Sequence, residues 1–285
     1  TTTQKELIEL IEKLNQDKTI NGILLQSPIP ANLDINEAFR TISPQKDVDG
    51  FNPINVGKLA LGQDCFVSCT PYGIVKMIEE YNIPTEGKKA VIIGRSNIVG
   101  KPLIQCLLSK NATVTICHSK TKEIEKITKD ADIIVTAMGK PKFLKADMVK
   151  EGATVIDVGI NRMENGKITG DVDFEEVSKK TSYITPVPGG VGPMTIAMLM
   201  QNTGEIISCD LYEQRVRLIE SGAQRLGIGI IKPKTANAEF LTKRSANSIW
   251  CCATFPARGL EYCAASPKLN IKTFALTIRL HKRSL

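Results

Sequence analysis

The chain has 285 residues, 42% hydrophobic and 24% charged, enough for one large or two medium domains with a real core. Its eight cysteines form no C-x-x-C pair and no Cys/His set at zinc spacing, no apolar run approaches a membrane span, and no signal-peptide pattern opens the sequence, so reduced thiols in a cytoplasmic protein without a metal site are expected. The net charge of +7 belongs to the tail: residues 241–285 carry eight Lys/Arg against Glu261 alone, leaving 29 basic and 29 acidic residues in 1–240 and no basic face there for nucleic acid.

Residues 3–16 predict an amphipathic helix with Leu7, Ile11 and Leu14 on one face. Ile20 to Leu25 reads as a short buried strand ending at Gln26-Ser27-Pro28, where Pro28 and Pro30 stop regular structure. A helix over 36–42 follows, then the polar loop Lys46-Asp-Val-Asp-Gly-Phe51. Next comes a helix over 71–81, with Pro71 in its first turn and Thr70 as N-cap. One strand is too little for a sheet, so residues 1–82 predict an incomplete α/β lobe.

From Gly87 the pattern becomes regular. Strands at 90–93, 113–117, 132–136, 154–158 and 183–185 alternate with helical segments near 99–109, 121–130, 145–150 and 173–180. That alternation predicts a doubly wound parallel sheet, an NAD(P)-binding Rossmann-like lobe over 83–203.

Inside this lobe the apolar run Ala90–Ile93 leads into Gly94-Arg95-Ser96-Asn97 and a helix carrying Leu103, Leu107 and Leu108. Strand, glycine turn and helix aim backbone N–H groups and a helix N-terminus at a phosphate, although the spacing is G-x-S-x-x-x-G. The second strand ends in His118-Ser119-Lys120-Thr121, with no acid to hold the ribose hydroxyls of NAD. Ser119 can donate to a 2′-phosphate and Arg95 or Lys120 can neutralise it, so NADP is preferred. The residues alone leave open a loop histidine for His118 and a solvated cation for Lys120. A third element, Thr185-Pro-Val-Pro-Gly-Gly-Val-Gly-Pro-Met-Thr195, reads as a rigid loop of little bulk, suited to a flat ligand lying on backbone.

Taken together these stretches resemble the methylenetetrahydrofolate dehydrogenase/cyclohydrolase family, which Gly22-Ile-Leu-Leu-Gln-Ser-Pro, Cys69-Thr-Pro-Tyr-Gly, Ile156-Asp-Val-Gly-Ile-Asn and Gly170-Asp-Val also match in family order over residues 1–203. The resemblance implies a homodimer whose first lobe and Rossmann lobe hold a tetrahydrofolate derivative and NADP in one-carbon metabolism. By resemblance Gln26 orients the catalytic group, Asp49 holds the pterin, Gly190, Val191, Gly192 and Pro193 line the folate site, and Gly94, Arg95, Ser96, Ser119 and Ile160 contact NADP. Outside the resemblance Gln26 reads as a strand-end cap and Asp49 as a turn aspartate. The family's catalytic Tyr-x-x-x-Lys precedes the first helix and is not in this sequence, so impaired activity is expected. Tyr72-Gly-Ile-Val-Lys76 has the spacing but stands in another motif. Short-chain dehydrogenases are a weaker alternative, since they place Tyr-x-x-x-Lys after the cofactor turn.

After Thr203 the text changes. Residues 204–240 read as a strand ending in Asp210 and an amphipathic helix with Val216, Ile219, Ala223 and Leu226 inward, resembling an S-adenosylmethionine-dependent ribosomal-RNA cytosine methyltransferase fragment. Residues 241–285 have no periodicity. Back-translated and shifted by one frame, 245–271 can yield the D-x-P-C-S-G-x-G pattern of that same group, which predicts a composite chain with an out-of-frame tail. Three functions therefore stand: a folate oxidoreductase, a methyltransferase fragment, and a non-catalytic NADP- or folate-binding remnant.

Overall fold

The structure, a computed structural model, describes residues 3–18, 20–27, 29–203, 206–210, 217, 231–235, 249–254 and 261–262. The chain divides into two compact units, Thr1–Glu12 with Ile23–Leu199, and Lys13–Gly22 with Met200–Leu285.

Four helices precede the first strand: α1 (Gln4–Gln16), α2 (Ile35–Thr41), α3 (Pro53–Ala60) and α4 (Cys69–Glu80). The strand expected at Ile20–Leu25 does not form. An apolar run becomes a strand only beside a partner, and here Ile23 alone bridges to Asp47, its N–H donating to the Lys46 carbonyl at 2.7 Å. Helix α3 went unpredicted although its signal is plain: the Asn52 side chain accepts from Ile54 N at 2.8 Å, and Pro53 fills the first turn. Thr70 is not the N-cap of α4. Ser68 holds that place, and Thr70 lies within the helix.

The sheet of this unit follows: β1 (Lys89–Ile93), α5 (Gly100–Leu108), β2 (Thr113–Cys117), α6 (Ile124–Thr128), β3 (Ile133–Thr136), a 3₁₀ turn (Ala146–Met148) and β4 (Thr154–Asp157). A two-stranded hairpin of β5 (Asn161–Arg162) and β6 (Ile168–Thr169), then α7 (Phe174–Val177) and β7 (Tyr183–Ile184), complete it. All five sheet strands are parallel, in the order β2-β1-β3-β4-β7. Side chains alternate across the pleat. Ala90 and Ile92 face a cluster with Ile74, Ile78, Leu103 and Leu107 from α4 and α5; Val91 and Ile93 face Ile124, Met148 and Val149. Burial on both faces is why β1 and β3 read as unbroken apolar runs. The order reverses between β1 and β3, the switch point where the carboxyl ends of such strands open a ligand crevice.

Helix α8 (Val191–Asn202) starts inside the stretch predicted as loop, because Gly192 and Pro193 fall in its first turn, where proline's missing N–H costs nothing.

In the second unit β8 (Ile206–Asp210) lies between β9 (Ile231–Thr235) and β10 (Ile249–Thr254), parallel to both, and β11 (Glu261–Tyr262) pairs antiparallel with β10. The strand predicted to end at Asp210 is present; of the helix predicted with Val216, Ile219, Ala223 and Leu226 inward, only the helical Arg217 is among the described residues. β10 and β11 fall within 241–285, where the sequence predicts nothing assignable, and the rest of that stretch is outside the described residues. No described helix is long and apolar enough to cross a membrane.

Candidate functional site

The glycines of the first turn are set by backbone against backbone. A Cβ on Gly94, whose φ is +134°, would sit 2.3 Å from the Ala137 carbonyl oxygen; one on Gly100 would sit 2.1 Å from that of Gly94. The turn thus lies flat on the end of β3 with the start of α5 against it. Ser96 caps that helix, its Oγ accepting from Val99 N at 3.1 Å and Gly100 N at 3.4 Å. Lys101 N is taken by the Ser96 carbonyl and Pro102 has no N–H. The first-turn amides therefore already have partners within the turn. What remains is the Ser96 hydroxyl proton, free to donate outward, and the turn's exposed side chains.

Arg95 and Ser119 stand level with each other. Ile93 pairs with Cys117 in parallel register, each residue lies two positions beyond its strand, and both are exposed. The turn carrying Ser119 is tied down: His118 N donates to Thr121 Oγ1 at 2.9 Å, and Lys120 N donates to His118 Nδ1 at 3.1 Å. His118 is thus bonded within its own turn. Ile160, beyond β4, is 71% exposed.

The loop 46–51 holds two aspartates in opposite states. Asp47 is buried and accepts from Phe51 N at 3.2 Å, Asn52 N at 2.8 Å and Asn55 Nδ2 at 2.9 Å. Asp49 is half-buried, and burial, with the neighbouring Asp47 charge, pushes its carboxyl up to about 7. Gly50, at φ +70°, brings the loop against the strand-like segment before α4; a Cβ there would lie 2.7 Å from Ser68 N. Ser68 Oγ donates to the Ile98 carbonyl at 2.7 Å, reaching from this loop to the turn of α5. Gln26 is exposed, its Nε2 donating to the Ser27 carbonyl at 2.9 Å. Near the Pro-Gly stretch, Thr195 Oγ1 lies 2.9 Å from Thr70 Oγ1, and a Cβ on Gly190 would meet the Pro186 carbonyl oxygen at 2.6 Å. Gly192 and Pro193 are exposed, and Val191 is buried.

Comparison with known proteins decides what this arrangement belongs to. Residues 68–210 match the tetrahydrofolate dehydrogenase/cyclohydrolase NAD(P)-binding domain, and residues 1–49 match the catalytic domain of the same name. The bifunctional protein FolD of Campylobacter hominis is 62% identical over 202 residues, which cover 71% of each chain. The chain belongs to the FolD family. Among solved structures, the bifunctional FolD of Campylobacter jejuni superposes with a TM-score of 0.71 at 57% identity, covering 71% of this chain and 72% of that one. The Trypanosoma brucei FolD, complexed with NADP cofactor and inhibitor, gives 0.68 at 37% identity, covering 71% and 72%.

The Lys76 ammonium lies 5.4 Å over the Tyr72 ring and donates to Glu79 at 2.8 Å, a bond that raises its pKa and keeps it cationic, unfit as a base. Reading the sequence for function missed the buried acids Asp157 and Asp171, although both stand in matched stretches, Ile156-Asp-Val and Gly170-Asp-Val. For Asp157 the available signal was an acid ending an apolar strand two residues before Gly159; for Asp171 it was only the preceding Gly170.

Proposed function

We propose that this chain is an NADP-dependent methylenetetrahydrofolate dehydrogenase with the methenyltetrahydrofolate cyclohydrolase chemistry of its family, acting on tetrahydrofolate derivatives. The observation that carries it is the level pair Arg95 and Ser119 at the carboxyl ends of β1 and β2, with no acid between them. NADP, when bound, supplies the hydride acceptor. Arg95 and Ser119 hold its 2′-phosphate, Ser96 donates its hydroxyl proton to a phosphate oxygen, and Ile160 offers an apolar surface. Gly94 fits the group because its turn lies flat on Ala137 and adds no side chain to the crevice.

Gly190, Val191, Gly192 and Pro193 line the folate site, and Gln26 orients the group next to the reacting carbon. Asp49 holds the pterin: a half-buried carboxyl with a raised pKa gains most when a ligand brings N–H donors to it. Hydride transfer between two bound partners needs position more than acid–base groups, which suits such a sparse site. Hydrolysis needs more. Tyr72 to Lys76 has the Tyr-x-x-x-Lys spacing, but Lys76 is committed to Glu79, so that pair does not supply the group that activates water. The same family reading makes the protein a cytoplasmic homodimer.

Calorimetric titration of the 285-residue chain with NADP and NAD tests the cofactor assignment. NADP should bind at least tenfold more tightly, and Ser119→Asp should reverse the order by repelling the 2′-phosphate. Equal binding of both cofactors would refute it.

A second reading concerns residues 204–240. β8 ends in Asp210 between two parallel neighbours, an arrangement that suits the ribose-binding strand of a methyltransferase fragment. Binding of S-adenosylmethionine by the same chain would support it, and an uninterrupted reading frame across 203–285 would remove the composite origin.

A further inference from the structure

Two carboxylates that no ligand assignment uses lie fully inside the crevice end of the sheet. Asp171 is 0% exposed and Asp157 3%. Asp171 accepts from three consecutive backbone amides, Met138 N at 2.8 Å, Gly139 N at 3.0 Å and Lys140 N at 2.8 Å, and from Asn161 Nδ2 at 2.9 Å. Successive amides turned inward make an anion-holding nest, here filled by the protein's own carboxylate. Asp157 accepts from Thr136 Oγ1 at 3.0 Å, Gly159 N at 2.9 Å, Asp171 N at 3.0 Å and Val172 N at 3.0 Å. Its own N–H donates to Thr185 Oγ1 at 2.8 Å. Among the described residues neither acid is in an ion pair.

The partners lie at and just beyond the ends of β3, β4 and β7, and, for the Asp171 and Val172 amides, just after β6. Ala137, which Gly94 packs on, immediately precedes the Met138 amide; Ile160 immediately precedes Asn161; and Thr185 opens the Pro-Gly stretch. The fit leaves no slack. A Cβ on Gly159 would lie 2.4 Å from the Asp171 carboxyl carbon, and one on Gly170 would lie 1.8 Å from Asp157 Oδ2.

We infer that Asp171, seated on Asp157, is a positioning residue that sets the β3, β4 and β7 half of the cofactor crevice. This rests on the NADP reading above. In a doubly wound sheet a dinucleotide straddles the switch point. With Arg95 and Ser119 beyond β1 and β2 taking the 2′-phosphate, the nicotinamide half would be left to the β3 and β4 side. Asp171 therefore acts on one half of the ligand only. An amide at 171 turns one acceptor into a donor facing N–H groups, which opens the nest on that side.

The test uses two probes on the full chain, NADP and 2′,5′-ADP, which carries only the adenosine half. Asp171→Asn should raise the Kd for NADP about tenfold or more and leave that for 2′,5′-ADP within twofold. A merely structural role would move both together or neither. Asn161→Ser, which removes one outer donor and keeps the nest, guards against a variant that fails to fold; it should weaken NADP roughly threefold with 2′,5′-ADP unchanged. Parent and both variants binding NADP alike overturns the inference alone, as does a parallel loss of both probes. A parent that binds 2′,5′-ADP and NADP not at all overturns the cofactor reading, and the inference with it.

Discussion

The first unit buries carboxylates in two places and treats them differently. At the crevice end of the sheet Asp157 and Asp171 are each met by donors on both oxygens, mostly backbone amides. In the loop 46–51 Asp47 is saturated in the same way, whereas Asp49, two residues on, is desolvated without compensating hydrogen bonds from described residues. The contrast separates scaffold from chemistry. A carboxylate that already has its donors cannot take a ligand's, and one left short is held in reserve for them.

The sharpest way to break the saturated side is steric. Gly170→Ala would place a methyl 1.8 Å from Asp157 Oδ2 and 2.9 Å from Val187 Cγ2, so the carboxylate must leave its four donors or the backbone must move. Overpacking combined with unpaired buried donors is expected to cost about 3–5 kcal/mol, lowering the midpoint of thermal unfolding by roughly 10 °C or more. Calorimetric unfolding of the variant checks it. A shift of a degree or two would mean the acids are not locked as described.

Asp49→Asn sharpens the other side, and its sign depends on pH. The folded carboxyl titrates at about 7 against an ordinary 3.8, so between those values the folded chain holds a proton that the unfolded chain has lost. Stability from this group is full below pH 3.8, falls as pH rises through that window, and is lost above about 7. The asparagine variant should match the parent at low pH and exceed it by roughly 1–2 kcal/mol at pH 8, a figure kept well under the full shift because the side chain is only half-buried. The same variant should bind tetrahydrofolate about tenfold more weakly at pH 8, where the parent offers a full carboxylate. Denaturant titrations at pH 4.5 and pH 8 test the first part. A stability difference that does not change with pH would show that Asp49 titrates normally.

Legibility in the sequence followed the same division. The nucleotide lobe was readable because its strands are buried on both faces: Ala90–Ile93 and Ile133–Thr136 carry their environment in their composition, and the parallel order came with the alternation. Positions whose role depends on a distant partner were not readable. Ile20 to Leu25 has strand chemistry and no strand beside it. Ser96 is a cofactor contact by resemblance, and only the fold reveals that its Oγ also accepts from the Val99 and Gly100 amides. Asp171 is one letter after a glycine, and its three amide donors lie more than 30 positions earlier in the chain. Asp47 and Asp49 flank the same Val48, and nothing in their composition says that the structure gives donors to Asp47 and not to Asp49.

The smallest expected effect concerns a neutral pair at the Pro-Gly stretch, which sets a floor for the charged cases. Thr70 Oγ1 and Thr195 Oγ1 lie 2.9 Å apart, and Thr195 Oγ1 also reaches the Val191 carbonyl at 3.3 Å. Thr70→Val keeps the shape and removes one hydroxyl. Thr195 retains its bond within α8, so no donor is stranded and only the net worth of one neutral hydrogen bond is lost. Stability should fall by about 0.5–1.5 kcal/mol, independently of pH, with NADP affinity unchanged. Chemical denaturation at two pH values measures both features. A loss as large as that of Gly170→Ala would place this hydroxyl pair among the scaffold contacts that the carboxylates provide, and would erase the distinction between saturated charge and ordinary polar packing.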